Sequence, residues 1–467
     1  MEQLLNIISP LQDFVWGIPL VAVLLGTGVL VTLRNVFVQF RGFKHSFELI
    51  SGRYDKPEFE GAITHFQALS AALSATIGTG NIAGVATAVA IGGPGAMFWM
   101  WVTAVFGMAL KYTCCTLAVM YRRIDADGYV RGGPMYYIEL GLGKKWKWLA
   151  FIFAGCTAVT ALGIGNMVQA NSVADGLATL FSAKGAAHEL YFRLGVGLVM
   201  AILVGLVIVG GIRRIGQVAS KLVPFMSVLY VLTAVVVLLL SYDRVFPALA
   251  LIFEEAFTPT GAAGGFAGST VWLTLQQGIR RGLFSNESGL GSAPMAHAAA
   301  KVNEPVREGL VAMIGPFVDT IVICTMTGLV IIVTGQWMEL GPDGLPLNGT
   351  PLTAAAFESV LPSWGARMVS IGLVLFAYST IISWSYYGEK GFEYIFDRKW
   401  VIYYRWFFLI FIPIGAVLII DIVWAVADIL NAFMAAPNLV ALIGLSGVVA
   451  AATRKYFKEL RAGGHRS

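Results

Sequence analysis

The sequence predicts an all-α polytopic membrane protein, and three observations carry that prediction. Apolar stretches long enough to cross a bilayer recur along the chain, charge is scarce, and the basic residues fall in alternate connections. Of 467 residues, 57% are hydrophobic and 13% are charged, about half the roughly 25% charge of a soluble domain. No soluble domain of useful size fits between the apolar runs.

A hydrocarbon core about 30 Å thick requires about 20 largely apolar helical residues per crossing. That requirement yields eleven spans, at residues 16–40, 62–91, 94–121, 148–181, 190–211, 215–240, 268–298, 308–335, 364–389, 401–420 and 421–453. The opening segment MEQLLNIISPLQDFVWG has neither a basic first region nor a small-residue cleavage site, so the first span is expected to stay in the protein.

The connections test the count, because Lys and Arg accumulate on the cytoplasmic side. The first carries Arg41, Lys44, Arg53 and Lys56, the third Arg122, Arg123, Arg131, Lys144, Lys145 and Lys147, and the fifth Arg213 and Arg214. The seventh has Lys301 and Arg307, the ninth Lys390, Arg398 and Lys399, and the tail Arg454, Lys455, Lys458, Arg461 and Arg466. Even-numbered connections hold little that is basic beyond Lys184, Arg193 and Arg244. The alternation puts the amino terminus outside and the carboxyl terminus in the cytoplasm, in a multi-pass protein of the plasma (inner) membrane. The net charge of +5 is dispersed in these clusters rather than gathered in one patch, so nucleic acid is not an expected partner. Cys114, Cys115, Cys156 and Cys324 lie in apolar runs without zinc-like spacing and read as small core residues.

Two spans are interrupted. The second reads ALSAALSATIGTGNIAGVATAVAIGG, with Gly78, Thr79, Gly80 and Asn81 near its middle. In lipid a broken helix leaves backbone groups unpaired at several kcal/mol each, which is tolerated only where protein, water or a ligand satisfies them. Small residues also serve close helix packing, and for the glycine-rich span as a whole packing has equal weight; the polar pair inside Gly-Thr-Gly-Asn favours a break. The seventh span repeats the pattern with Ser285, Asn286, Glu287, Ser288, Gly289 and Gly291. By the charge alternation these spans run in opposite directions, five apart, as expected of an inverted repeat whose broken first members face each other at a midplane site. The chain then divides into residues 1–61 with the first span, a five-helix repeat at 62–241, a second at 242–453 and a basic cytoplasmic tail at 454–467. A half-helix amino terminus suits a carboxylate, and exposed carbonyls suit an ammonium group or sodium. A zwitterion fits both.

Polar residues in other spans are candidates to complete the pocket. The fourth carries Asn166, Gln169, Asn171 and Ser172; the Gln169 amide can donate to a carboxylate, with helix-to-helix hydrogen bonding as the even alternative. The ninth carries Ser379, Thr380, Ser383, Trp384 and Ser385. Hydroxyls beside carbonyls make a hard-oxygen site for a small cation, although such hydroxyls also bond back to their own helix. Ionisable groups in or beside spans are functional suspects, here Lys111, Arg280, Arg281, Glu287 and Asp319. Glu287 either couples a proton or clamps the broken backbone, the clamp being preferred. His297 reads as interfacial, Arg280 and Arg281 as paired or snorkelling, and Trp384 as either a pocket wall or a packed aromatic.

The segments GTGNIAGVATAVAIGGPGAMFWMW (78–101), GGPMYYIE (132–139), GNMVQANS (165–172), RGLFSNESGLGSAPMAHAAAK (281–301) and FAYSTIISWSYYGEKGFEYIF (376–396) closely resemble the alanine or glycine:cation symporters. The resemblance covers nearly the whole chain in the expected order. It implies a leucine-transporter-like fold, one extra helix before a five-plus-five inverted repeat, and sodium-coupled symport of small neutral amino acids such as alanine and glycine. No cofactor is implied beyond sodium as the co-transported cation. The substrate carboxylate would meet the backbone at Thr79 and Gly80, with Gln169 beside it, and its amino group Asn81 and carbonyls near Phe284, Ser285 and Asn286. Trp384 would limit the side-chain pocket. Sodium would lie between carbonyls near Ser74 and Ile77 and the hydroxyls of Ser379 and Thr380. Cys114 stands where the family pattern has a glutamate, leaving Lys111 without an acid nearby in its own helix.

Rival classes are weaker. A channel would need a filter segment, and an intramembrane enzyme a metal motif or an activated nucleophile, neither of which the chain shows. A proton-coupled symporter and a sensor that binds without transport stay open.

Overall fold

A computed structural model describes residues 10–11, 14–56, 58–181, 186–257, 271–341, 344–418 and 421–462. It is an all-α membrane protein whose helices follow the eleven expected spans. Eight are long and apolar enough to cross a bilayer: Ala96–Met120, Lys144–Ala178, His188–Ile208, Gly211–Leu240, Pro305–Thr334, Gly365–Phe396, Arg398–Val417 and Val423–Arg461. The second span is a bent pair, His65–Thr76 and Gly80–Gly92, turned by 55°. The first is the shorter helix Ile18–Arg34. The seventh consists of Val271–Asn286 and the short helix Ala293–His297; residues 268–270 of its expected start lie outside the described residues.

The first span stops six residues before its expected end at 40. Asn35 folds its amide back onto the Val31 carbonyl at 2.8 Å, and Val36 and Phe37 then take positive φ values of 54° and 52°, which turns the chain into the amphipathic helix Phe43–Ile50. The last span continues as helix to Arg461, because nothing in its basic end breaks a helix. Three further connections contain unexpected structure: an antiparallel pair Arg123–Ile124 and Val130–Arg131 followed by helix Pro134–Gly141, a helix Tyr242–Glu255, and a helix Gly349–Val360.

Burial sorts the helices into a centre and a rim. In the third span 83% of the crossing window is buried, against 28% in each of the fifth and sixth. The rim spans expose Leu198, Ile202, Leu206, Phe225, Leu232 and Leu239. Apolar surface of this extent is stable only against lipid, so the bilayer is the rim's partner. The centre instead buries Ala- and Gly-rich faces, which let backbones approach closely around the interrupted spans.

Candidate functional site

The break in the second span is built by local chemistry. Thr64 and Gln67 form a capping box at the start of His65–Thr76. The helix ends at Ile77, whose ψ of 95° is extended. The Gly78 N–H, freed from the ladder, donates to Asn81 Oδ1 at 2.9 Å, and the chain re-enters helix through a wide π turn at Gly80–Gly84. Gly78 is required by proximity: a Cβ there would sit 2.7 Å from Thr380 Oγ1. Gly80 lies against Phe284 and Ser285, which brings the two broken spans together.

In the seventh span the helix ends at Asn286, and Glu287, Gly289 and Gly291 follow with φ of 53°, 86° and 88°. Asn286 Oδ1 accepts the Ser288 N–H at 3.0 Å, and Asn438 Nδ2 donates to the Gly289 carbonyl at 2.8 Å. Backbone groups released by the break therefore find side-chain partners, as burial in lipid demands.

Asp319, fully buried in the eighth span, joins the two breaks. Its Oδ1 accepts from Asn81 Nδ2 at 2.7 Å, and its Oδ2 accepts from the hydroxyls of Ser285 and Thr320, each at 2.8 Å. Asn286 Nδ2 adds a bond to Thr320 Oγ1 at 3.1 Å. On the other side of the second span's break, Gln169 Nε2 donates to Thr79 Oγ1 and to the Ile164 carbonyl, both at 3.2 Å. Gln169 Oε1 is buried without a hydrogen-bond partner among the described residues, and so are Ser288 Oγ and Ser383 Oγ. Of these, Gln169 Oε1 and Ser288 Oγ lie beside the two breaks, where a polar ligand would satisfy them.

A separate oxygen cluster links the second and ninth spans. Ser74 Oγ donates to the Ser379 carbonyl at 2.7 Å, Ser379 Oγ donates back to the Ser74 carbonyl at 3.2 Å, and Thr380 Oγ1 donates to the Ile77 carbonyl at 3.3 Å. Both ninth-span hydroxyls also reach the Phe376 carbonyl at 2.9 Å. The four residues singled out for a small cation thus converge, through hard oxygens alone.

Glu287 and Trp384 belong together. The Trp384 indole donates to Glu287 Oε1 at 2.9 Å and the Ser292 hydroxyl to Oε2 at 2.5 Å, so the carboxylate is held by side chains rather than by broken backbone. The Trp384 ring packs against Gly165 and Tyr387. Lys111, only 2% exposed, lies against Gly315 of the eighth span. Arg280 pairs with Asp428 at 3.0 Å. His297 is fully buried and bonded to Glu308 at 2.6 Å; it does not lie at an interface. Sequence reasoning passed over Thr320, Ser292 and Asn438. Thr320 directly follows Asp319, Ser292 trails the polar cluster at 285–288, and Asn438 stands alone in an apolar run, signals that mark a suspect but not its partner.

The sodium:alanine symporter family pattern matches residues 1–467. The sodium/alanine symporter AgcS of Methanococcus maripaludis is 47% identical over 458 residues, covering 98% of each chain. The probable sodium/glutamine symporter GlnT of Bacillus subtilis is 36% identical over 466 residues, 99% of this chain and 93% of that one. The putative sodium/proton-dependent alanine carrier protein YrbD of the same organism is 35% identical over 470 residues, 98% and 93%. Two broken spans, buried ligand-seeking polar atoms and an unbroken match from end to end agree: the chain belongs to the sodium:alanine symporter family, a family of transporters and not of enzymes.

Proposed function

We propose that the protein imports small neutral amino acids, alanine and glycine, by symport with sodium through alternating access. The observation that carries this reading is the oxygen cluster at the break of the second span, where Ser74, Ile77, Ser379 and Thr380 meet. Sodium taken between these oxygens would replace hydrogen bonds that now join the two spans. The amino acid would lie at the adjoining break, its carboxylate toward Thr79, Gly80 and Gln169 and its ammonium toward Asn81 and the carbonyls of Phe284, Ser285 and Asn286. The half-helix starting at Gly80 would present its positive end to that carboxylate. Trp384 would cap the side-chain space and favour the smallest substrates.

The basic connections favour a cytoplasmic carboxyl terminus and an outside amino terminus, and the paired breaks favour two five-helix inverted repeats at 62–241 and 242–453. A second reading, with a proton as coupling ion, is favoured by Glu287 at the seventh-span break and by the name of its relative YrbD. Uptake of labelled alanine and glycine into proteoliposomes separates the two. Accumulation driven by an inward sodium gradient supports sodium symport; accumulation driven only by a proton gradient overturns it and points to Glu287. Uptake of glutamine ahead of alanine would put this chain's substrate with that named for GlnT.

A further inference from the structure

On the basic side of the bundle, the inner ends of both broken spans are tied together by contacts that the substrate and sodium sites do not use. Residues 60–63 lead into the half-helix His65–Thr76, and residues 298–302 leave the half-helix Ala293–His297. The two segments pair as a short β-bridge: Ala62 N–H donates to the Ala299 carbonyl at 2.8 Å, and Lys301 N–H to the Ile63 carbonyl at 2.7 Å.

Two charged side chains from other spans lock this bridge. Arg122, just past the end of the third span, donates from Nη1 to the carbonyls of Ala298 and Ala300 at 2.8 and 2.6 Å, and from Nη2 to those of Glu60 and Val302 at 2.9 and 2.5 Å. Its planar fork thus holds four carbonyls drawn from both segments. Glu308, fully buried in the eighth span, divides its oxygens between two histidines: Oε2 meets His65 Nδ1 and Oε1 meets His297 Nδ1 at 2.6 Å. His65 opens one half-helix and His297 closes the other, and each is at most 1% exposed.

We propose that Arg122 and Glu308 are the gating residues of the cytoplasmic exit, holding the inner halves of the two broken spans together until cargo is released inward. The proposal rests on the alternating-access reading above. Separation of the halves breaks the bridge, pulls carbonyls from Arg122 and draws at least one imidazole from Glu308. Charge-assisted bonds to Glu308 and from Arg122 make this a stiff link between the halves, which favours the inward-closed state and must break for the exit to open.

The test locks and loosens the same bridge. Ile63→Cys/Ala300→Cys places thiols at paired bridge positions; after oxidation, with the cross-link verified by mass, alanine uptake into proteoliposomes should stop, and reduction should restore it. Loosening by Arg122→Lys or Glu308→Gln should speed amide hydrogen exchange in 60–66 and 298–303 roughly tenfold, the scale of one lost charge-assisted bond. The same variants should raise the external alanine concentration for half-maximal uptake while retaining the maximal rate, and Arg122→Ala should exceed Arg122→Lys in both effects. A cross-linked protein importing at the reduced protein's rate overturns the proposal, as does unchanged exchange in the conservative variants. If the reduced protein moves no alanine at all, the functional reading falls, and exchange alone then decides the gate.

Discussion

Asp319 ties both breaks together, since it accepts from Asn81, Ser285 and Thr320 at once. Asp319→Ala takes the carboxylate from three buried donors and leaves Asn81 and Ser285 only weaker partners, the Cys324 sulfur among them, at about 1–3 kcal/mol for each donor left short of a bond, so the variant should melt well below wild type and lose stabilisation by alanine. Melting curves with and without alanine check this; an unchanged alanine shift would remove Asp319 from the site's framework. Thr380→Ala deletes one oxygen of the proposed cation cluster, together with the γ-methyl group. The sodium concentration for half-maximal uptake should rise about tenfold, equivalent to about 1.4 kcal/mol, and Thr380→Ser should restore it; equal sodium dependence in all three proteins would exclude this hydroxyl as a ligand. Both residues were legible because a polar group in an apolar run is costly and so invites a reason. Asn438, which caps the Gly289 carbonyl from the last span, was not legible as a partner. Its sequence position carries no information about which of ten other spans it faces.

At the scale of elements, the breaks were readable and the connections were not. Gly78 to Asn81 and Ser285 to Gly291 cluster glycine with side chains that can bond backbone, a combination that no straight helix in lipid favours. The strands Arg123–Ile124 and Val130–Arg131 are two residues each, too short for a period-two pattern, and the helix Gly349–Val360 is too short and too mixed to stand out as apolar. The hairpin nevertheless makes a pH prediction. The hydrogen bond from Arg398 holds the Asp127 carboxyl below the ordinary carboxylate range, and the Arg398 N–H and Arg131 do the same for Asp397. A depressed carboxyl contributes stability above its unfolded value and loses it only as pH falls through the folded one. The protection factors of residues 123–131, which are exchange rates corrected for the intrinsic rate at each pH, should therefore be unaltered between about pH 7 and pH 5, above the unperturbed carboxylate value near 3.9. Protection that falls within that window would show that these acids do not hold the hairpin.

For the whole molecule, the proposed coupling of sodium to amino acid turns on the stretch from Ile77 to Asn81. The Ile77 carbonyl faces Thr380, the Thr79 hydroxyl faces Gln169, and Asn81 faces Asp319. One short segment, running from the break at Ile77 and Gly78 into the π turn, is thus shared by the proposed cation cluster, the proposed carboxylate pocket and the strut to the seventh and eighth spans. Ordering it costs conformational entropy once, so whichever ligand binds first leaves less for the second to fix. Binding of the two should then be positively linked, with a coupling free energy of about 1–3 kcal/mol, or roughly 5- to 150-fold in affinity. Linkage requires the factor to be the same in both directions. Calorimetry of alanine binding at zero and saturating sodium, and of sodium binding at zero and saturating alanine, should return equal ratios. Thr380→Ala should lower both ratios together, because it loosens the shared segment rather than one ligand alone. Alanine affinity that is indifferent to sodium would mean that the segment is already ordered without ligand, and that coupling arises from movement of the helix bundles instead.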